Sequence, residues 1–279
     1  MCYESRYFSE FLKSEIYFRS IFSSFLFYFL YNKINQIIAM KSKLFLPFVF
    51  ILFLFSSCNE ISQWRGTARD GIYSGTNLLK EWPKEGPERS LKIENIGKGF
   101  SQPVVYNEVI YVSGLKSDTL DMVSAFDMQG NLLWDKVYSK AWPRSYPESR
   151  GTPTIEKNRI YLIGGKGNLI CLSTNGGKVL WEQNPLKEFG GEIMHWGIVE
   201  SVLLTDKAAW YVTGGEETTL VAYNKRSGKL LWKSESLGDA KSYASSSLVE
   251  WGGLKIALVQ TDKHLIGFNA ENGDILWTH

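Results

Sequence analysis

The chain has 279 residues, is 44% hydrophobic and carries a formal net charge of +2, so it can bury one large core or several small ones in series. Residues 1–57 hold six Lys/Arg against three Asp/Glu, leaving 25 basic and 26 acidic residues elsewhere; that balance argues against a nucleic-acid partner. The cysteines Cys2, Cys58 and Cys171 and three scattered histidines argue against a disulfide framework and a zinc site.

Residues 1–39 contain twelve aromatics and an uncharged run from Ile21 to Tyr31. They read either as a start assigned too early, with translation from Met40, or as a membrane-associated extension. From Met40 a basic start, an apolar run from Leu44 to Phe55 and the small pair Ser56-Ser57 precede Cys58. This is the order of a secretory signal over 40–57, and the run is too short for a membrane span of roughly 20 residues. Small residues before a cysteine resemble a bacterial lipobox, with Phe55 where leucine is usual. Cys58 would then be lipidated and would tether the mature chain to a membrane. Residues 58–89 are polar and rich in Gly, Pro and charge, and read as a tether and irregular lead-in. Leu91 to Glu94 alternates apolar and charged residues and predicts one isolated strand.

A repeat follows. Gly130 and Trp134, Gly177 and Trp181, Gly228 and Trp232, and Gly273 and Trp277 each enclose three strand-like residues, and the tryptophans lie 47, 51 and 45 residues apart by subtraction. Upstream of each glycine, in the same step, lie three more short β-branched and aromatic runs. The last of these ends in Asp127, Ser173, Asn224 or Asn269. Four strands per 45–50 residues without helical periodicity predict an all-β fold of antiparallel four-stranded blades, a β-propeller, over 90–279. The blades are expected at about 101–138, 151–185, 200–236 and 245–279. The glycine relieves a tight turn, and the tryptophan docks on the neighbouring blade.

The segment Ala222-Tyr-Asn-Lys-Arg-Ser-Gly-Lys-Leu-Leu-Trp232 resembles the repeat of pyrroloquinoline-quinone (PQQ) type propellers, with Asn224 and Ser227 where that repeat carries Asp and Thr. Trp64-Arg-Gly and Arg69-Asp-Gly resemble the lead-in of exported members. The resemblance implies seven or eight blades, so the four present predict an incomplete, open propeller. It embraces quinoprotein dehydrogenases and a non-enzymatic lipoprotein of the outer-membrane β-barrel assembly machinery, so it implies two functions. One is an extracytoplasmic, outer-membrane-anchored scaffold without catalysis or cofactor. The alternative is a PQQ- and calcium-dependent alcohol or sugar oxidoreductase whose cofactor residues lie in missing blades. The adjacent-cysteine pair of those enzymes has no counterpart here.

Meander topology puts the B–C turns and the long D-to-A crossings on one face, where binding of a protein partner, a polymer or a small ligand is expected. The candidates there are Arg144, Tyr146 and Arg150, then His195, Trp196 and Glu200, then Tyr243, with Lys263 in a B–C turn. Arg150 reads as pointing to an anionic ligand or pairing with Glu148 or Glu200. His195-Trp196 reads as a ligand platform or a packing aromatic. Gly164-Gly-Lys-Gly167 lacks the spacing of a phosphate loop and predicts a B–C hairpin turn, and Cys171 a small buried hydrophobe.

Overall fold

The computed structural model describes residues 61–146 and 148–279. The signal, Cys58 and the extension before them lie outside the described residues. Among the described residues no helix is long and apolar enough to cross a membrane.

Four meanders follow one another, each a four-stranded antiparallel sheet in chain order. The first is β1 (Val104–Tyr106), β2 (Val109–Ser117), β3 (Leu120–Asp127) and β4 (Leu132–Lys140); the second is β5 (Thr154–Glu156), β6 (Arg159–Ile163), β7 (Leu169–Ser173) and β8 (Val179–Gln183). The third is β9 (Leu203–Leu204), β10 (Ala208–Val212), β11 (Leu220–Asn224) and β12 (Leu230–Lys233); the fourth is β13 (Ser247–Trp251), β14 (Leu254–Gln260), β15 (Leu265–Asn269) and β16 (Ile275–Thr278). The blades are as expected. The crossing from blade 2 adds a single helical turn, α1 (Pro185–Glu188), where Asn184 accepts a hydrogen bond from the amide of Lys187.

The core lies between blades. Successive residues of a strand point to opposite faces, and in β10 both faces are covered, so all five of its residues are buried. Ala209 and Tyr211 pack toward Leu169 and Cys171 of blade 2, while Trp210 and Val212 pack toward Val259 and Phe268 of blade 4. Ile155, Ile160 and Leu172 meet Val104, Tyr111 and Val123 in the same way across the first joint.

The repeat glycines and tryptophans make these joints. Gly130, Gly177, Gly228 and Gly273 have φ of 85, 64, 71 and 81°, the left-handed region that suits glycine. The turn before each is fixed by the polar residue that ends the third strand: Asp127 accepts from the amides of Gln129 and Asn131, and Asn224 from those of Arg226 and Ser227. Asn224 therefore performs the task of the Asp it replaces. The indoles of the first three blades then lie on the glycine of the following blade. A Cβ on Gly177 would come within 2.9 Å of Trp134, on Gly228 within 2.8 Å of Trp181, and on Gly273 within 2.5 Å of Trp232. Trp134 and Trp181 also donate from Nε1 to the carbonyls of Thr174 and Lys225, both at 3.1 Å. Beneath the rings the third strand carries Ala125, Cys171, Ala222 and Gly267, each opposite its tryptophan, and its register shifts at the next residue in every blade. Small side chains and a recurrent bulge let the ring lie flat. Cys171 is the small buried residue expected, and burial pushes its thiol up to about 11.

Two expectations for the lead-in need correction. Leu91 to Glu94 forms no strand, because it has no ladder partner; instead Leu91 and Ile93 stand against Gly130, where a preceding tryptophan would be. Ile93 and Ile96 pack on Ile110, Val112 and Phe126 of blade 1. Nor is the segment from Ile61 to Asp70 a free tether. Ser62 and Ile155 exchange backbone hydrogen bonds of 3.0 and 2.8 Å, and the Ser62 hydroxyl donates to the carbonyl of Val105. Arg69, only 5% exposed, donates to the carbonyls of Ser201 and Val202. The lead-in thus crosses the inner ends of blades 1, 2 and 3.

Candidate functional site

The three long crossings are fastened to one another. After β4 the chain buries Trp142, with the cations of Arg144 and Lys166 at 5.6 and 5.7 Å from its ring. Arg150 donates from one guanidinium nitrogen to the carbonyls of both Ser145 and Tyr146, each at 2.6 Å. That grip holds Tyr146 at φ 46° and turns its ring outward. The Ser145 hydroxyl donates to the carbonyl of His195 at 3.2 Å, and the amide of Trp196 donates to the Tyr243 hydroxyl at 3.1 Å. Gly197 lies so close beneath Arg150 and Trp142 that a Cβ there would meet them at 2.5 and 2.9 Å. Residues 145, 195–196 and 243 therefore tie three crossings together.

What they display is an aromatic ridge. The Tyr146 and Trp196 rings are 6.1 Å apart, and His195 meets Trp196 edge-on at 4.5 Å. Tyr146 is 67% and Trp196 47% exposed, and Tyr243 stands beside them. Large rings held rigid yet open to solvent are the usual anchors of a protein interface.

Beside the ridge, at the inner ends of the blades, lies an open cleft of about 520 Å³. Trp64, Arg65, Arg69, Arg150 and Tyr243 line it, together with a run of hydroxyls from Ser245 to Ser247, and no carboxylate does. The Arg65 and Arg69 guanidiniums lie 5.3 and 5.9 Å from the Trp64 ring.

Glu200 is not available to a ligand. It is 4% exposed and paired at 2.9 Å with Lys241, itself buried and donating to the carbonyl of Val212. Burial holds the Glu200 carboxyl above its ordinary range, against the pull of Lys241 and Arg69. Two cations around one buried carboxylate form a structural pin, since either alone would be a costly buried charge. Arg150 pairs with neither Glu148 nor Glu200; it grips its own loop and lines the cleft. Lys263 is exposed, 3.7 Å from the buried carboxylate of Asp239. Asp239 also accepts from Thr261 and bonds His264 Nδ1, both at 2.7 Å, which pins the last crossing to a B–C turn of blade 4. The Gly164–Gly167 turn is a hairpin turn as expected, and its Gly165 amide donates to Asp121 of blade 1.

Of the residues expected on this face, Tyr146, Arg150, His195, Trp196 and Tyr243 come together, with Arg144 at the edge; Glu200 and Lys263 stand apart. Sequence reasoning passed over Trp64, Arg65 and Arg69 as cleft residues. Their signal was available in the Trp-Arg-Gly and Arg-Asp-Gly pair, too rich in special residues for a solvated tether.

Calcium needs six to eight oxygen ligands, carboxylates among them, and a cleft of three guanidiniums without a carboxylate does not fit a calcium–quinone pair. Among the described residues no three of His, Cys, Asp and Glu converge as a metal would require.

A family model described as outer membrane protein assembly factor BamB matches residues 120–279. The outer membrane protein assembly factor BamB of Shewanella oneidensis is 24% identical over 191 residues, 66% of this chain and 43% of that protein. The chain thus spans less than half the length of that curated relative. Among solved structures, BamB from Moraxella catarrhalis is similar over 68% of this chain and 53% of its own, with 18% identity and a TM-score of 0.44. Quinohemoprotein alcohol dehydrogenase from Comamonas testosteroni is similar over 66% of this chain and 34% of its own, with 17% identity and a TM-score of 0.50. The second likeness, at 17% identity, supports the fold alone.

Proposed function

Because the chain belongs to the family described as outer membrane protein assembly factor BamB, we propose that it is an exported, lipid-anchored scaffold that docks a protein partner and performs no catalysis of its own. One observation carries the docking: three crossings from different blades converge on Tyr146, His195, Trp196 and Tyr243 and are hydrogen-bonded to each other behind them. The rings are presented with their backbone already ordered, which lowers the entropic cost of binding. The anchor reading rests on the signal at 40–57 and on Cys58, and the family description supports the outer membrane as its location. The quinone-dependent alternative has only the dehydrogenase fold likeness in its favour, and it needs its calcium ligands in blades beyond these four, since the cleft is lined by no carboxylate.

A photo-crosslinking amino acid at position 196, introduced in cells, tests the docking. A discrete adduct with one protein, lost when Tyr146 and Tyr243 are also replaced by alanine, is expected; labelling no different from that at an exposed position such as 226 refutes it. Palmitate-analogue labelling that persists after Cys58→Ala would overturn the anchor.

A further inference from the structure

We propose that the cleft beside the ridge takes an extended, acidic peptide segment of the protein partner; this rests on the scaffold reading above and names the chemistry of what is bound. Three guanidiniums and no carboxylate line the cleft, and Glu200, the acid that acts on Arg69, is already paired with Lys241. Arg69 is buried and gives both terminal nitrogens to Gln63 and to the carbonyls of Ser201 and Val202, its Nε lying buried without a partner, so it contributes charge, not contacts. Arg65 donates from one terminal nitrogen to the carbonyl of Asp70, and Arg150 uses one on its own loop. Among the described residues the other terminal nitrogen of each makes no hydrogen bond, and each can donate to a single carboxylate oxygen.

Two further features favour an extended chain over a small anion. The cleft ends on β13, the edge strand of its sheet, whose outer backbone groups face no neighbouring strand among the described residues. The lead-in displays the matching mode within the molecule, since Ser62 adds to the corresponding edge of blade 2 through reciprocal backbone bonds with Ile155. A peptide added beside β13 in that way would run its acidic side chains past Arg65 and Arg150, with Trp64 and Tyr243 under their methylene stems.

The test is fluorescence anisotropy on the full chain in detergent, with a labelled peptide of alternating Glu and Val, a Lys and Val counterpart, and inorganic phosphate as competitor. The acidic peptide is expected to bind, with affinity falling as salt rises. Arg65→Gln and, separately, Ser247→Glu are expected to weaken it roughly tenfold, about one charge-assisted hydrogen bond. Both positions leave the loop grip of Arg150 intact, and an unchanged melting temperature certifies folding. Equal binding of the Lys peptide overturns the proposal, as does displacement by phosphate at concentrations that leave ionic strength constant, which would mark a small-anion site. So does unchanged affinity in both folded variants. Trp196→Ala is expected to leave peptide affinity within twofold; a larger loss than in Ser247→Glu overturns the cleft in favour of the ridge. If crosslinking at position 196 persists while the peptide fails to bind, the scaffold reading survives and this inference alone falls.

Discussion

The joint between blades 2 and 3 and the outer face of blade 1 solve the same problem with different parts. At the joint an indole from one blade lies on the turn glycine of the next and donates a hydrogen bond to its backbone. On blade 1 the equivalent glycine is covered by Leu91 and Ile93 from the irregular lead-in, which make no strand and donate no such bond. A repeat joint combines area, ring fit and a directed bond. The lead-in cover supplies area alone there, and is held down elsewhere, by Arg69 at the inner ends of the blades. One strategy concentrates stability in a residue; the other spreads it along a segment.

That contrast sets an order of effects. Trp181→Ala leaves a ring-sized void in a closed joint and removes one of the two donors to the Lys225 carbonyl, the Tyr161 hydroxyl remaining, so a loss of about 4 kcal/mol is expected in chemical unfolding. A loss under about 1 kcal/mol would break the comparison at its stronger end. Arg69→Met keeps the stem but strands the carbonyl of Ser201, that of Val202 keeping the Thr154 hydroxyl, for about 2 kcal/mol, and it has a pH signature as well. Burial holds the Glu200 carboxyl above its ordinary range, so the folded chain binds that proton more tightly than the unfolded one. Its contribution to stability therefore declines as pH rises from the ordinary glutamate range to the raised value, and is level above it. Removing the nearby Arg69 charge raises that value further, so the decline in the variant should extend to higher pH than in the parent chain; superimposable pH profiles would show that Arg69 does not act on Glu200.

The paired change Leu91→Ala with Ile93→Ala is expected to cost about 1–2 kcal/mol, since Leu91 is exposed and Ile93 only half-buried. A cost equal to that of Trp181→Ala would mean the lead-in is as concentrated as a joint. Smallest of all is Trp277→Ala. This ring is 39% exposed and lies over Gly267 of its own blade, with no facing glycine among the described residues, so a change under about 1 kcal/mol is expected in the same assay.

The same division explains what could be read from the sequence. The blades were legible because each depends on a local, repeated pattern: alternating apolar runs, an Asp or Asn that closes a turn, a glycine with positive φ, then tryptophan. The ridge was half legible, since meander topology alone puts Tyr146, Trp196 and Tyr243 on one face. Their mutual hydrogen bonds were not, because they join residues about 50 apart through backbone groups that every residue carries. Glu200 misled for a related reason: its partner Lys241 arrives from another crossing, and no local feature distinguishes a buried carboxylate from an exposed one. The lead-in was least legible. Its contacts are with four different strands and repeat nowhere, so Leu91 and Ile93 looked like an isolated strand and Arg69 like part of a tether.

One consequence of the tryptophan-on-glycine contact concerns how such a chain grows. Each blade carries both halves of the joint, a glycine that receives the preceding ring and a tryptophan offered to the following one. A duplicated stretch of 45–51 residues, cut anywhere in phase, therefore inherits a matching half for either neighbour without a single compensating substitution. The fold could lengthen by copying alone, leaving the crossings, which take no part in that contact, free to diverge into whatever each new blade is asked to hold.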